Sequence, residues 1–276
     1  DVLRGMGKTV IGAGRDAEEA RKPAIVERNG VKIAFLAYCS VMRDGQAAGK
    51  GKVGIAPVRA HTYYAPEEFQ PGTPPKIVTT PYDGDVQAMQ DDIRKAKQRA
   101  DVVILSMHWG LRHVPKTICT YQPPMAHAAI DAGADLILGH HPHSVKAVEV
   151  YKGKVCFYSI GNLMTTGTAA PRRNAGSFEW NLIWFQYDPE CLPPHGMYNF
   201  PKHCRNSMVV KAVIGKSGIE RVSFLPAFIN HRAQPYVVAP DHPKFQEVLE
   251  FTEWVSDQHP HKFRVEGSEV VVDTSV

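Results

Sequence analysis

Two short apolar runs, Val102-Val103-Ile104-Leu105 and Leu136-Ile137-Leu138, flank a segment of helical character, and this arrangement restricts the fold more than any other feature. Runs without polar alternation suit strands buried on both faces. The segment between them, from about 123 to 132, is predicted as a helix stopped by Gly133. Strand, helix and strand in that order form a βαβ unit, whose right-handed crossover makes the strands parallel. Parallel strands bring their C-terminal ends to one sheet edge, where α/β proteins place their chemistry.

Histidine follows each run. His108 ends the first, and Gly139-His140-His141-Pro142-His143 follows the second. Neutral imidazole is a common ligand for zinc, manganese and iron-type ions. The competing reading is a histidine-rich surface turn. In an extended His-x-His both rings point to one side, so His108, His141 and His143 are candidate ligands for one ion, or for two that share them. A metal so held lowers the pKa of bound water to about 7 and polarises a substrate oxygen. His140 reads as a neighbour that fixes a ligand's tautomer. Asn162 reads as a ligand, a donor to substrate, or a turn residue tolerant of positive φ. With His108, these two complete the candidate catalytic set. Arg112 and His113, just past His108, and Arg172 and Arg173, in a Gly/Ala/Pro-flanked loop, are candidates to grip an anionic substrate. Solvated surface charge is the alternative for each.

The 276 residues suffice for one large domain, and no linker-like break divides them. A net charge of +4 with interspersed signs argues against nucleic acid. The apolar runs are too short for a membrane span. Five cysteines without CxxC spacing look reduced, which makes cytoplasm the default compartment; a signal upstream would make it secreted or membrane-associated. The opening Asp1-Val2-Leu3-Arg4-Gly5-Met6-Gly7-Lys8 reads as the end of a helix closed by Gly7, entering a strand at Thr9-Val10-Ile11. An upstream segment is therefore expected.

Elsewhere, Asn29-Gly30 between two β-rich runs predicts a hairpin, and 40–75, rich in Gly, Pro and Gln, a long loop or lid. Asp83 or Asp85 is placed to cap a helix reaching about residue 100. A hairpin turning at Lys152-Gly153 is expected, then strands over 177–187, 208–214 and 219–229, a helix over 242–257 and a last strand over 263–272. Gly12-Ala13-Gly14-Arg15-Asp16-Ala17 imitates a dinucleotide fingerprint, but Pro23 leaves room for only a short helix. Cys191, His195, His203 and Cys204 lack the spacing of a standard zinc finger. No GxSxG elbow is present.

His108-Trp109-Gly110, Gln122, the stretch 126–143 (AHAAIDAGADLILGHHPH) and Tyr158-Ser159-Ile160-Gly161-Asn162 resemble the CapA family. This is the poly-γ-glutamate capsule branch of the calcineurin-like metallophosphoesterases. The 12–15 and 20–23 segments are similar to the same family's middle region. The resemblance implies a single four-layer α-β-β-α sandwich over 1–276, extended from about residue 235, with a two-metal site at one sheet edge. It matches His108 to the lone metal histidine, and His141 with His143 to the closing pair. The family's aspartates and Asn-His motif lie upstream of the 12–15 segment, so a missing N-terminal segment is expected to complete the site. Arg112 stands where the family often has Glu, which points to a carboxylate-bearing or phosphorylated substrate. The expected activity is metal-dependent hydrolysis of an amide or phosphoester by metal-bound hydroxide, with Mn, Fe or Zn. The competing expectation is a non-catalytic component of capsule assembly or export that binds polyanion. Either role admits a homo-oligomer.

Overall fold

A computed structural model describes residues 2–66, 68–69, 71–164, 191, 196–198 and 200–276. The chain is mixed α/β with several sheets. It falls into two compact units, Asp1–Gly110 with Ile118–Gly139 and Ile214–Ile219, and Leu111–Thr117 with His140–Val213 and Glu220–Val276.

In the first unit, β1 (Ala24–Arg28) and β2 (Val31–Cys39) form the antiparallel hairpin. Asn29 and Gly30 connect them at φ 52° and 76°, the left-handed pair that a tight two-residue hairpin turn requires. The stretch 40–75 is more ordered than its composition suggests. It contains β3 (Ala60–Ala65), which runs antiparallel to β4 (Lys76–Pro81). Gly54–Ile55 also pairs with Ala13–Gly14. At the ribbon's base, the Thr120 hydroxyl donates to the Thr79 carbonyl at 2.6 Å. Near the chain start, Gly7 at φ 72° closes the helix Val2–Gly5 as expected. Thr9-Val10-Ile11 is not a strand, however, and pairing begins only at Ala13.

The helix α1 (Asp83–Lys97) is capped by neither aspartate; Tyr82 holds the N-cap position. Asp85 lies within the first turn, where its carboxylate accepts from Arg59 Nε at 2.7 Å and Arg59 Nη2 at 2.8 Å. That bidentate pairing diverts it from the cap. The helix ends at Lys97, short of residue 100, and buries Met89, Ile93 and Ala96. Next, β5 (Val102–His108) pairs in parallel with β2, from Ile33 opposite Val102 to Cys39 opposite His108. Val102, Val103 and Leu105 are fully buried, each stabilising the fold by about 2 kcal/mol. After α2 (Gln122–Asp131) comes β6 (Leu136–His140), next to β5 in the order β1-β2-β5-β6. Buried Asp135 secures this region, accepting from the Val103 N–H at 2.9 Å and from Lys97 Nζ at 2.6 Å.

In the second unit, β7 (Val148–Tyr151) and β8 (Lys154–Phe157) form the expected hairpin, turning at Lys152 (φ 49°) and Gly153 (φ 73°). A second sheet follows. It contains β9 (Asn206–Gly215), β10 (Gly218–Ile229), β11 (Pro235–Val237), and, beyond α3 (Pro243–Ser256), β12 (Phe263–Glu266) and β13 (Glu269–Val272). The last strand expected over 263–272 is therefore a hairpin, reversed at Gly267 with φ 59°. The Val148 N–H donates to Ser256 Oγ at 3.0 Å, fastening α3 to β7. The strand expected over 177–187 lies outside the described residues. Among the described residues no helix is long and apolar enough to cross a membrane.

Candidate functional site

In the first unit, His108 ends β5 exposed, and its carbonyl accepts from the Ser40 N–H at 3.0 Å. Trp109, next in the chain, is fully buried. Gly110 then turns the chain at φ 85°, and a Cβ there would meet Gln122 Oε1 at 2.8 Å. Only glycine fits both the angle and the space. Tyr121 Oη accepts the Gly110 N–H at 2.7 Å and lies 2.7 Å from Ser40 Oγ. Burial pushes this phenol up to about 12.

The second unit gathers more imidazoles. His143 has the ring of His113 at 5.6 Å and that of His141 at 6.2 Å, centroid to centroid. Phe200 packs against both His143 at 5.0 Å and His113 at 5.5 Å. The expectation of an extended His-x-His is corrected: His141 and His143 have φ 97° and 58°. A bent, left-handed backbone therefore sets the rings' relation. Such angles cost about 1–3 kcal/mol each in non-glycine residues and persist where the surroundings impose them. Here the His113 N–H donates to the Pro142 carbonyl at 2.9 Å. Buried Lys146 donates its ammonium to the Val114 carbonyl, and to that of Thr117 at 3.0 Å. Both contacts hold the Leu111–Thr117 segment against the histidine turn.

Asn162 is buried beside this turn. Its Oδ1 lies 2.8 Å from His143 Nδ1, and its Nδ2 donates to the His143 carbonyl at 3.2 Å and to Tyr198 Oη at 2.9 Å. Tyr198 in turn donates to the Cys204 carbonyl at 2.5 Å. Gly161 permits the approach: at φ 78°, a Cβ would lie 3.2 Å from the Asn206 carbonyl oxygen. Burial, with His143 and Arg112 adding positive charge, brings His113 down to about 4. Burial likewise brings His203 down to about 4, against its hydrogen bond to the His113 main chain. Both rings are neutral at pH 7.

Of the residues singled out from sequence, His108 belongs to the first unit, and Arg112, His113, His140, His141, His143 and Asn162 to the second. Arg112 is exposed, and His140 is half-buried at the end of β6. Arg172 and Arg173 lie outside the described residues. Sequence reasoning missed Lys146, Tyr198 and Phe200, and placed His203 only in a zinc finger it rejected. The one available signal was aromatic and basic residues recurring in the otherwise Pro- and Gly-rich stretch 193–205. Cys191 and Cys204 are thiols buried in an apolar cluster with Tyr198 and Ile229, and His195 is outside the described residues. For a metal, His141 and His143 offer the right donor chemistry but a partial set. Among the described residues no three His, Cys, Asp or Glu side chains form a group able to hold an ion.

A family model described as bacterial capsule synthesis protein PGA_cap matches residues 1–166. The chain belongs to this family. The PGA_cap match covers the His-Trp-Gly turn, the histidine turn and Asn162, and it ends at residue 166. The PGA_cap chain is 35% identical over 174 residues to the PGA biosynthesis protein CapA of Bacillus subtilis, covering 63% of this chain and 39% of that one. It is 32% identical to the capsule biosynthesis protein CapA of Bacillus anthracis, over 56% of this chain and 32% of that one. A probable polyglutamine synthesis accessory protein of Mycobacterium tuberculosis is 29% identical, over 59% of this chain and 38% of its own. The chain thus spans 32–39% of these relatives' length.

Proposed function

We propose that this PGA_cap protein acts on a γ-linked glutamate polymer, or a similar carboxylate-bearing chain, as a metal-dependent hydrolase of its amide bonds. The observation that best supports the reading is the gathering of His113 and His141 around His143, at 5.6 and 6.2 Å. The name of the Bacillus subtilis relative, a PGA biosynthesis protein, supplies the polymer class. Divalent Mn, Fe or Zn is the proposed cofactor, with His108, His141 and His143 as ligands. Arg112 and His113 are assigned to the substrate's carboxylates, and the four-layer sandwich implied by the superfamily belongs to the same proposal.

A second reading has a specific observation in its favour. The ligand group among the described residues is incomplete, which suits a non-catalytic component of capsule assembly that binds polyanion. Elemental analysis of the purified chain, with cleavage of poly-γ-glutamate measured with and without chelator, separates the two. Stoichiometric metal and chelator-sensitive shortening of the polymer support the hydrolase. Metal-free protein that binds the polymer without shortening it supports the second reading. Turnover of bis-nitrophenyl phosphate with no amide cleavage overturns both.

A further inference from the structure

We infer that Tyr198 is a positioning residue, which acts through Asn162 to hold His143 as the neutral tautomer protonated on Nδ1, with its lone pair on Nε2. The inference follows from which groups are able to donate. The Tyr198 hydroxyl has one proton, and it is committed to the Cys204 carbonyl at 2.5 Å. Its oxygen therefore accepts at its other contact, so the Asn162 atom 2.9 Å away must be the amide nitrogen. The His143 carbonyl gives the same answer independently. A carbonyl can only accept, and it lies 3.2 Å from the same nitrogen. Turning the Asn162 amide over would set oxygen against oxygen at both places. The amide oxygen is thus fixed toward His143 Nδ1 at 2.8 Å. Since that oxygen has no proton, the ring nitrogen must supply one. A neutral imidazole protonated on one nitrogen keeps its lone pair on the other.

Asn162 has little freedom to do otherwise. It is buried, its own carbonyl accepts the Ser207 hydroxyl, and Gly161 before it is confined by Asn206, Ser207 and Val145. Tyr198 is fully buried and packs against Phe200 at 5.1 Å with the rings tilted by 40°, and Phe200 also packs on His143. The same few residues therefore set the ring's place and its proton. The inference deepens the proposed function, because an Nε2 lone pair is what a ligand or a proton acceptor requires, and it rests on that reading only for what the lone pair is used for.

The test is the tautomeric state of His143 in the whole chain, read from its ring-nitrogen NMR shifts at pH 8 and assigned by loss of the signals in His143→Gln. The wild type should show Nδ1 protonated and Nε2 bare. Tyr198→Phe keeps the ring but releases the amide, and should lower that tautomer's ratio about tenfold, as expected for loss of one orienting hydrogen bond. Asn162→Asp retains an acceptor and should keep Nδ1 protonated, a rescue that a purely structural role would not predict. His143 protonated on Nε2 in the wild type would overturn the inference, as would ring shifts unchanged in Tyr198→Phe. Should Tyr198→Phe fail to fold, the wild-type and Asn162→Asp spectra still decide. The readout needs no turnover, so the tautomer can stand even if hydrolysis is disproved.

Discussion

The two histidine turns are built by opposite means. The His-Trp-Gly turn of the first unit is fixed by packing: a buried Trp109, a Gly110 with no room for a Cβ, and Tyr121 and Gln122 pressed against it. Its histidine is left exposed. The Gly-His-His-Pro-His turn of the second unit is fixed by hydrogen bonds from Asn162 and from the His113 N–H, and its rings are half-buried among one another. A packed turn fixes the backbone that carries the side chain. A hydrogen-bonded turn also dictates where the side chain's protons lie.

The comparison breaks most visibly at Gly110. Gly110→Ala meets Gln122 at 2.8 Å on a backbone at φ 85°, and should cost about 3 kcal/mol in urea unfolding. Gly161→Ala has gentler contacts at 3.2–3.3 Å and should cost nearer 1–2 kcal/mol. Equal losses would mean that the two turns do not differ as described. Next in size is Lys146→Met, which removes two donors to carbonyls of the Leu111–Thr117 segment and should cost about 2 kcal/mol. Amide exchange of 111–117 should quicken in that variant, while 108–110 stay protected.

An effect is also expected with pH. His203 has a folded value near 4 against an ordinary 6.5, so the unfolded chain takes up the proton first. Its contribution is complete above about 6.5, declines as pH falls from 6.5 towards 4, and levels off below 4. His113 is lowered to about the same value, so melting temperatures across that window should show a decline to which both rings contribute, and His203→Gln should reduce it by about half. The least perturbing change is His108→Ala, at an exposed position, expected to alter stability by less than about 0.5 kcal/mol. If metal content also stays unchanged in His108→Ala, the assignment of this histidine as a ligand is wrong.

Patterns carried by neighbouring residues were legible in the sequence. The apolar runs at 102–105 and 136–138, the Asn29-Gly30 turn and the Lys152-Gly153 turn each state their structure within a few positions, and each is found. The ribbon over 60–65 and 76–81 was not legible, because turn-forming residues around it mask two short strands paired mainly with each other. Asp85 misled for a related reason: its capping position was visible, whereas Arg59, 26 positions earlier, was not a visible competitor. At the site, the histidines declared themselves by density. Tyr198 did not, since its importance lies in one oxygen placed 36 residues beyond Asn162, and no local pattern encodes that.

The ribbon of β3 and β4 has a consequence of its own. Tyr63, Tyr64 and Ile77 stand 53%, 70% and 60% exposed, on an arm whose edges have few other strands to lean on. A lone pair of strands is barely stable in water, so cohesion comes from cross-strand neighbours such as Tyr64 beside Ile77 and from the threonine clasp at its foot. Such an arm should fray from the tip inward, and a protease would find its first cut there long before either histidine turn loosened.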